Sequence, residues 1–266
     1  MSRFDPVSYQ LYRVHYPVEL FEPLKPYLGP RAGTHLRLLD LGAGTGMSTW
    51  SLLQFFKGFD EVVLVEPDPA MLDRTLTLDF GEGVHSERCV ASAEAFDSNN
   101  QADLVLIGSA WHWMNSDRTL ETILKSLKPG GWVFVFEYQF PKAMPDELGR
   151  GLNDWVRRAF NLKWKEIGQQ PRGSLSEITE RFRRHPDFCS AGEAACEMSD
   201  QLMPEDLCGV IVSQSRFLAY ELELQEEEKT KVRSDLLGDL KRVWPGVGPL
   251  NFSYRFKGYA FRTRSV

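Results

Sequence analysis

The run Leu38-Leu39-Asp40-Leu41-Gly42-Ala43-Gly44-Thr45-Gly46 narrows what this chain can fold into more than any other feature. An apolar strand that empties into alternate glycines, followed by a helical pattern from about Met47 to Phe56, brings bare backbone close to a ligand. The spacing is Gly-x-Gly-x-Gly, with Asp40 two residues ahead of it. A loop built for a dinucleotide pyrophosphate reads Gly-x-Gly-x-x-Gly, and Met47 stands where its third glycine belongs. A pyrophosphate also favours a helix N-terminus with no carboxylate in front of it. Asp40 and the exposed loop carbonyls suit a ligand that carries an ammonium group. A tight turn without a ligand is the bland alternative, and the flanking strand and helix weigh against it.

The first half of the chain alternates short apolar runs with helical patterns, as βαβ units do. Leu36 to Leu41, Glu61 to Glu66, Ser86 to Val90, Ala102 to Gly108 and Trp132 to Tyr138 read as strands. Ala102 to Gly108 is continuously apolar, as expected of a strand covered on both faces. Helices are predicted from Asp68 or Pro69 to about Leu78, and from Thr119 to Leu127, where Leu120, Ile123, Leu124 and Leu127 recur at helical spacing. Lys128-Pro129-Gly130-Gly131 breaks that helix before the fifth strand. After Pro141 the pattern turns helical: Leu152, Trp155, Val156, Ala159 and Phe160 share one face, and Ser174 with Glu177 makes a capping box for a helix from Leu175 to Arg184. Ala194 to Leu202 reads as a strand, Glu205 to Glu223 and Glu226 to Val243 as helices, and Phe252 to Arg262 alternates like a last strand. The organisation expected is an N-terminal helical lid (1–34), a doubly wound core (35–140), a helical insertion capping the substrate (141–190), and 191–266 completing the same domain.

Glu66 closes the second strand, where an acid can accept both hydroxyls of a ribose. With these residues in place, the chain resembles the class I S-adenosylmethionine-dependent methyltransferases. More narrowly it is similar to the branch holding the trans-aconitate methyltransferases and the ubiquinone/menaquinone-biosynthesis type. The resemblance is good over about residues 5 to 140 and loose in the last third. It implies S-adenosylmethionine as cofactor, whose methionine part carries the ammonium that Asp40 suits. The fold it implies is α/β, a Rossmann-like, seven-stranded, mostly parallel sheet with an antiparallel last strand, helices on both faces and a helical insertion after strand five. Asp40, Gly42, Ala43, Gly44 and Gly46 then form the cofactor loop, Glu66 and Pro67 the ribose site, and Met71 packs on adenine. Ser92-Ala93-Glu94 borders the adenine edge, with Ser92 where the family usually has Asp, and Gly108 ends strand four beside the cofactor. Tyr9-x-x-Tyr12-Arg13-x-x-Tyr16-Pro17 resembles the branch's lid, although Arg13-Val14 replaces the usual Arg-Pro. In the lid reading Arg13 pairs with the cofactor carboxylate and Tyr9 closes over the sulfonium; otherwise the segment is an amphipathic surface helix.

Methyl transfer from a sulfonium asks little of the protein beyond alignment and exclusion of water. In open α/β sheets the ligand lies outside the carboxyl ends of the strands, so the segment after strand four, Gly108-Ser109-Ala110-Trp111-His112-Trp113-Met114, faces the acceptor. It resembles the Ala-x-His-Trp segment of the trans-aconitate branch. His112 is the best catalytic base or substrate-orienting candidate, and Trp111, Tyr138 and Trp155 are candidate substrate contacts. The bland reading has His112 bonded to backbone and the aromatic side chains packed in the core.

The formal charge of −6 argues against a broad nucleic-acid surface, and no run approaches the length of a membrane span. Cys89, Cys189, Cys196 and Cys208 form no CxxC pair, and the five histidines no HxH or HxxxH pair, so no metal site is expected. A cytoplasmic protein acting on a small molecule is the resulting expectation. The alternatives are a non-catalytic S-adenosylmethionine-binding partner or regulator, and a nicotinamide-dependent oxidoreductase, which Met47 disfavours.

Overall fold

Extended runs bounded by turn residues become strands. In the computed structural model, which describes residues 5–31, 34–97, 101–144, 146–162 and 174–264, they are β1 (Leu36–Leu41), β2 (Phe59–Val65), β3 (His85–Cys89), β4 (Ala102–Gly108), β5 (Leu127–Tyr138), β6 (Lys142–Met144), β7 (Phe188–Leu202) and β8 (Leu250–Thr263). The α-helices are α1 (Pro6–Tyr12), α2 (Lys25–Leu28), α3 (Met47–Phe55), α4 (Pro69–Asp73), α5 (Ser116–Ser126), α6 (Asp146–Leu162), α7 (Leu175–Arg184), α8 (Pro204–Val212), α9 (Ser215–Glu221) and α10 (Glu226–Val243). The chain divides into two compact units, one of His15–Tyr138, Arg172–Cys196 and Phe256–Val266, the other of Met1–Val14, Gln139–Pro171 and Glu197–Arg255.

The larger unit holds the parallel strands in the order β3-β2-β1-β4-β5, and the second half of β8 runs antiparallel beside β5. The α/β, Rossmann-like fold with an antiparallel last strand is therefore present. Leu104, Val105, Leu106 and Ile107 of β4 are 0% exposed, which is why that strand shows no alternation. One sheet face packs Leu39, Val63, Val105 and Val133 against Ile123 of α5 and Phe182 of α7. Phe182 stacks on Phe261 with ring centroids 4.8 Å apart. The other face sets Phe134 and Phe136 against Phe21 of the 3-10 turn Val18–Leu24, and Phe136 against Tyr16. At the amino end of β4, buried Asp103 accepts from Lys128 Nζ (2.6 Å) and from the Arg37 N–H (3.0 Å), tying β1, β4 and β5 together at the end away from the glycine loop.

In the smaller unit, α1 packs on α8: the Tyr12 ring lies where a Cβ on Gly209 would approach within 2.4 Å, so only glycine fits there. Glu221, 4% exposed, takes both Nε and Nη2 of Arg233 at 2.6 Å. Asn153 of α6 bonds the N–H and the carbonyl of Ala143 in β6.

Four expectations need correction. Among the described residues the strands number eight rather than seven, because β6 (Lys142–Met144), three residues long, is too short to show a period. The strand expected from Ala194 begins at Phe188. The helix expected over Glu205 to Glu223 is two helices, α8 and α9, parted where the Ser213 hydroxyl bonds back to the Val210 carbonyl at 2.9 Å. Lys128 to Gly131, read as a breaker, lies within β5, with Gly130 at φ 75 and a register shift opposite Ala102 and Leu104. The predicted Ser174–Glu177 capping box is present.

Candidate cofactor and acceptor site

The glycine loop is hung from its neighbour strand. The N–H groups of Gly42 and Ala43 both donate to the Val65 carbonyl, at 2.8 and 3.0 Å. Gly42, Gly44 and Gly46 sit at φ 73, 56 and 81, the left-handed region that a Cβ disfavours. The segment after β4 closes over the loop: a Cβ on Gly42 would lie 2.6 Å from Ala110 Cβ and 2.9 Å from Met114 Cε. Buried Met71 lies under the loop, its Cε 3.6 Å from where a Cβ on Gly44 would stand.

Asp40 is fully buried at the end of β1, and its Oδ2 accepts from Ser48 Oγ and Thr49 Oγ1 of α3, both at 2.7 Å. Burial pushes its carboxyl up to about 6, against the pull of those two hydroxyls. Glu66 stands at the tip of β2. Its Oε2 accepts from the Gly44 N–H at 3.0 Å and its Oε1 from the Asp68 N–H at 3.1 Å. Burial raises this carboxyl too, opposed by the same two bonds. Both oxygens keep a lone pair for further donors. Pro67 follows it, and Asp68 caps α4 through the Ala70 N–H.

Ala93 is buried in the core beside the sheet, with Ser92 half-buried before it. Glu94 does something the sequence did not announce: its Oε1 accepts the N–H of Asn115 at 2.5 Å, tying the adenine-edge segment to the start of α5. Burial raises the Glu94 carboxyl, but hydrogen bonds led by that of Asn115 outweigh it and the net direction is down. Gly108 has no room for a side chain, since a Cβ there would be 2.7 Å from the Phe136 ring and 2.9 Å from Ser48.

Three polar atoms around this loop are buried without a hydrogen-bond partner: Asp40 Oδ1, Thr45 Oγ1 and Ser109 Oγ. Each such atom costs about 1–3 kcal/mol unless something bonds it. All three belong to the carboxyl ends of β1 and β4 or to the loop between β1 and α3. A ligand bearing N–H and O–H donors suits Asp40 Oδ1 and Thr45 Oγ1, and an amino-acid-bearing nucleoside fits those two together with Glu66. Sequence reading passed over Thr45 and Ser109. Thr45 was visible inside the loop, but the signal for Ser109 is backbone geometry: at φ 51 it is the one non-glycine at positive φ among the described residues. Its N–H is held by the Phe136 carbonyl at 2.8 Å.

Of the acceptor-side candidates, Trp111 is 4% exposed, donates Nε1–H to Ser116 Oγ and packs on Phe182, so it belongs to the core. His112 is half-buried in the 3-10 turn Trp111–Trp113, its ring 5.5 Å from that of Trp113, which is 42% exposed. Tyr138 ends β5, its ring 6.1 Å from that of Tyr16. Tyr9, Arg13 and Trp155 belong to the smaller unit. There the Arg13 guanidinium lies 4.5 Å over the Tyr9 ring and donates to the Ser213 carbonyl at 2.9 Å, and Trp155 is half-buried on α6. Among the described residues no group of three or more His, Cys, Asp or Glu could hold a metal, and no helix is long and apolar enough to cross a membrane.

Comparison with known proteins follows the same lines. Residues 39–133, which carry the loop, Glu66 and β4, match the model of a family described as a methyltransferase domain. An uncharacterized methyltransferase of Mycobacterium tuberculosis is 27% identical over 228 residues, covering 85% of this chain and 81% of its own. The ubiquinone/menaquinone biosynthesis C-methyltransferase of a Shewanella species is 31% identical over 163 residues, 60% of this chain and 63% of its own. Among solved structures, one from Anaeromyxobacter dehalogenans named as a type II methyltransferase has a TM-score of 0.63 at 18% identity, covering 94% of this chain and 97% of that one. A methyltransferase from Geobacter sulfurreducens in complex with S-adenosylhomocysteine has a TM-score of 0.54 at 16% identity, covering 99% of both chains.

Proposed function

We propose that this chain, an S-adenosylmethionine-dependent methyltransferase of the class I fold, methylates a small-molecule acceptor in the cytoplasm, at a carboxylate or hydroxyl oxygen. The cofactor supplies a methyl group already activated on a sulfonium, so the chain's own residues bind, orient and exclude water. Asp40 and Thr45 take the amino-acid end, Glu66 the ribose, and Met71 with Ser92-Ala93-Glu94 the base. Within the family we place the chain beside the trans-aconitate and ubiquinone-biosynthesis types, on the glycine loop and the Ala110-Trp111-His112-Trp113 segment.

The observation that carries this reading is the pair of unpartnered buried polar atoms, Asp40 Oδ1 and Thr45 Oγ1, at one glycine loop. Calorimetry tests it directly. S-adenosylhomocysteine should bind in the micromolar range while NAD gives no heat at millimolar concentration, and the reverse order would overturn the reading.

His112 is the residue we assign to orienting the acceptor. Replacing it with Gln should lower kcat/KM about 10- to 50-fold while leaving the affinity for S-adenosylhomocysteine unchanged. Unaltered turnover would return His112 to a packing role.

A further inference from the structure

Glu137 stands where packing alone would place an apolar residue. Along β5, Phe134 and Phe136 face Phe21, whereas Val133 and Val135 enter the core cluster with Val105, Ile107 and Trp111. Alternation puts Glu137 next in the valine row. It is half-buried there, and burial raises its carboxyl even though Lys257, its register partner on β8, pulls the other way. Lys257 is exposed, so a cross-strand ion pair does not account for a carboxylate at this depth.

Its place along the sheet gives it a use. Gly108 pairs with Phe136, and the Ser109 N–H bonds the Phe136 carbonyl, so Glu137, one residue before the end of β5, and Ser109, just past β4, lie side by side at one level. With strands about 5 Å apart, Glu137 is one strand from the buried, unpartnered Ser109 hydroxyl and about 10 Å, two strands, from the glycine loop. Both residues lie at the carboxyl edge, where a parallel sheet receives its ligands.

Resting on the methyltransferase reading, we propose that Glu137 is the acceptor-side base and that the acceptor is a hydroxyl compound, hydrogen-bonded by Ser109, rather than a carboxylate. In the transfer, an acceptor oxygen lone pair forms the O–CH3 bond as the CH3–S bond breaks. The electron pair of that bond stays on sulfur, giving neutral S-adenosylhomocysteine. The hydroxyl proton passes to the Glu137 carboxylate and from there to water. A carboxylate acceptor has no proton to lose and would meet an anion at Glu137. An alcohol or phenol, largely un-ionised at neutral pH, gains from a positioned base.

The test uses the full chain saturated with S-adenosylhomocysteine and two matched pairs of probes, phenol with benzoate and 2-phenylethanol with phenylacetate. Calorimetry should show each hydroxyl probe binding at least tenfold more tightly than its carboxylate partner. Glu137→Gln should erase that preference, chiefly by admitting the carboxylates. With radiolabelled S-adenosylmethionine, methylation of the hydroxyl probes should fall about 100-fold in kcat in Glu137→Gln, with KM within threefold. Glu137→Leu, which continues the valine row, should show the same loss with an equal or higher Tm, whereas a purely structural glutamate would lower it. The proposal is overturned if wild type prefers carboxylates, binds neither kind, leaves both hydroxyl probes unmethylated, or loses less than threefold in kcat in Glu137→Gln. Failure of wild type to bind S-adenosylhomocysteine at the outset would instead sink the methyltransferase reading.

Discussion

Gly42→Val should destabilise the protein by about 4 kcal/mol and reduce affinity for S-adenosylhomocysteine at least a thousandfold. Two independent effects add. At φ 73 a β-branched residue is strained by about 1–2 kcal/mol. Its Cβ would also stand 2.6 Å from Ala110 Cβ, and that atom is anchored to the backbone and cannot swing aside as a long side chain would. Relief requires the 110–114 segment or the loop to move, and each holds part of the proposed site. Denaturant melts and calorimetry on the same preparation read both effects. A Gly42→Val protein that binds the nucleoside within tenfold of wild type would show that this loop is not the cradle.

Asp40 gives two pH dependences of opposite sign. Its folded carboxyl is raised to about 6 from an ordinary 3.8, so between those values the folded chain binds the extra proton and acid favours folding. The gap amounts to about 3 kcal/mol at about 1.4 kcal/mol per pH unit. This contribution is present in full below pH 3.8 and is lost as pH rises through about 6. Binding runs the other way. If the ionised carboxylate meets the ligand's ammonium, affinity for S-adenosylhomocysteine should drop about tenfold per pH unit below about 6. Asp40→Asn keeps an acceptor for Ser48 and Thr49. It should melt no lower than wild type at pH 8 and bind the nucleoside about 100- to 1000-fold more weakly, with little dependence on pH. Titrations from pH 5 to 8 check this, and a flat wild-type profile would remove Asp40 from the ammonium site.

Strong local patterns were legible in the residues. β4 and the capped helix α7 fall where their patterns put them, because continuous burial and a Ser-x-x-Glu cap are written within a few neighbouring positions. β6 and the break between α8 and α9 were not, since three residues carry no period and a hydroxyl's choice of carbonyl is made in three dimensions. The glycine loop was read from spacing alone. The side-chain directions of Asp40 and Glu66 were not: Asp40 turned out to be held by two hydroxyls of α3, and Glu66 by the N–H groups of Gly44 in the loop and of Asp68 just past β2. Trp111, offered from its position as an acceptor contact, went into the core because Phe182, 71 residues on, supplies the ring it packs against.

By itself the sequence determined the alternation of strands and helices through the parallel core, the glycine loop and the two acids that frame it, since each is written in short local runs. Tertiary structure alone decided that Ser109 keeps a buried hydroxyl without a partner and that Glu137 lies on the strand beside it. Both depend on which strands become neighbours and in what register, and no local run of residues states that.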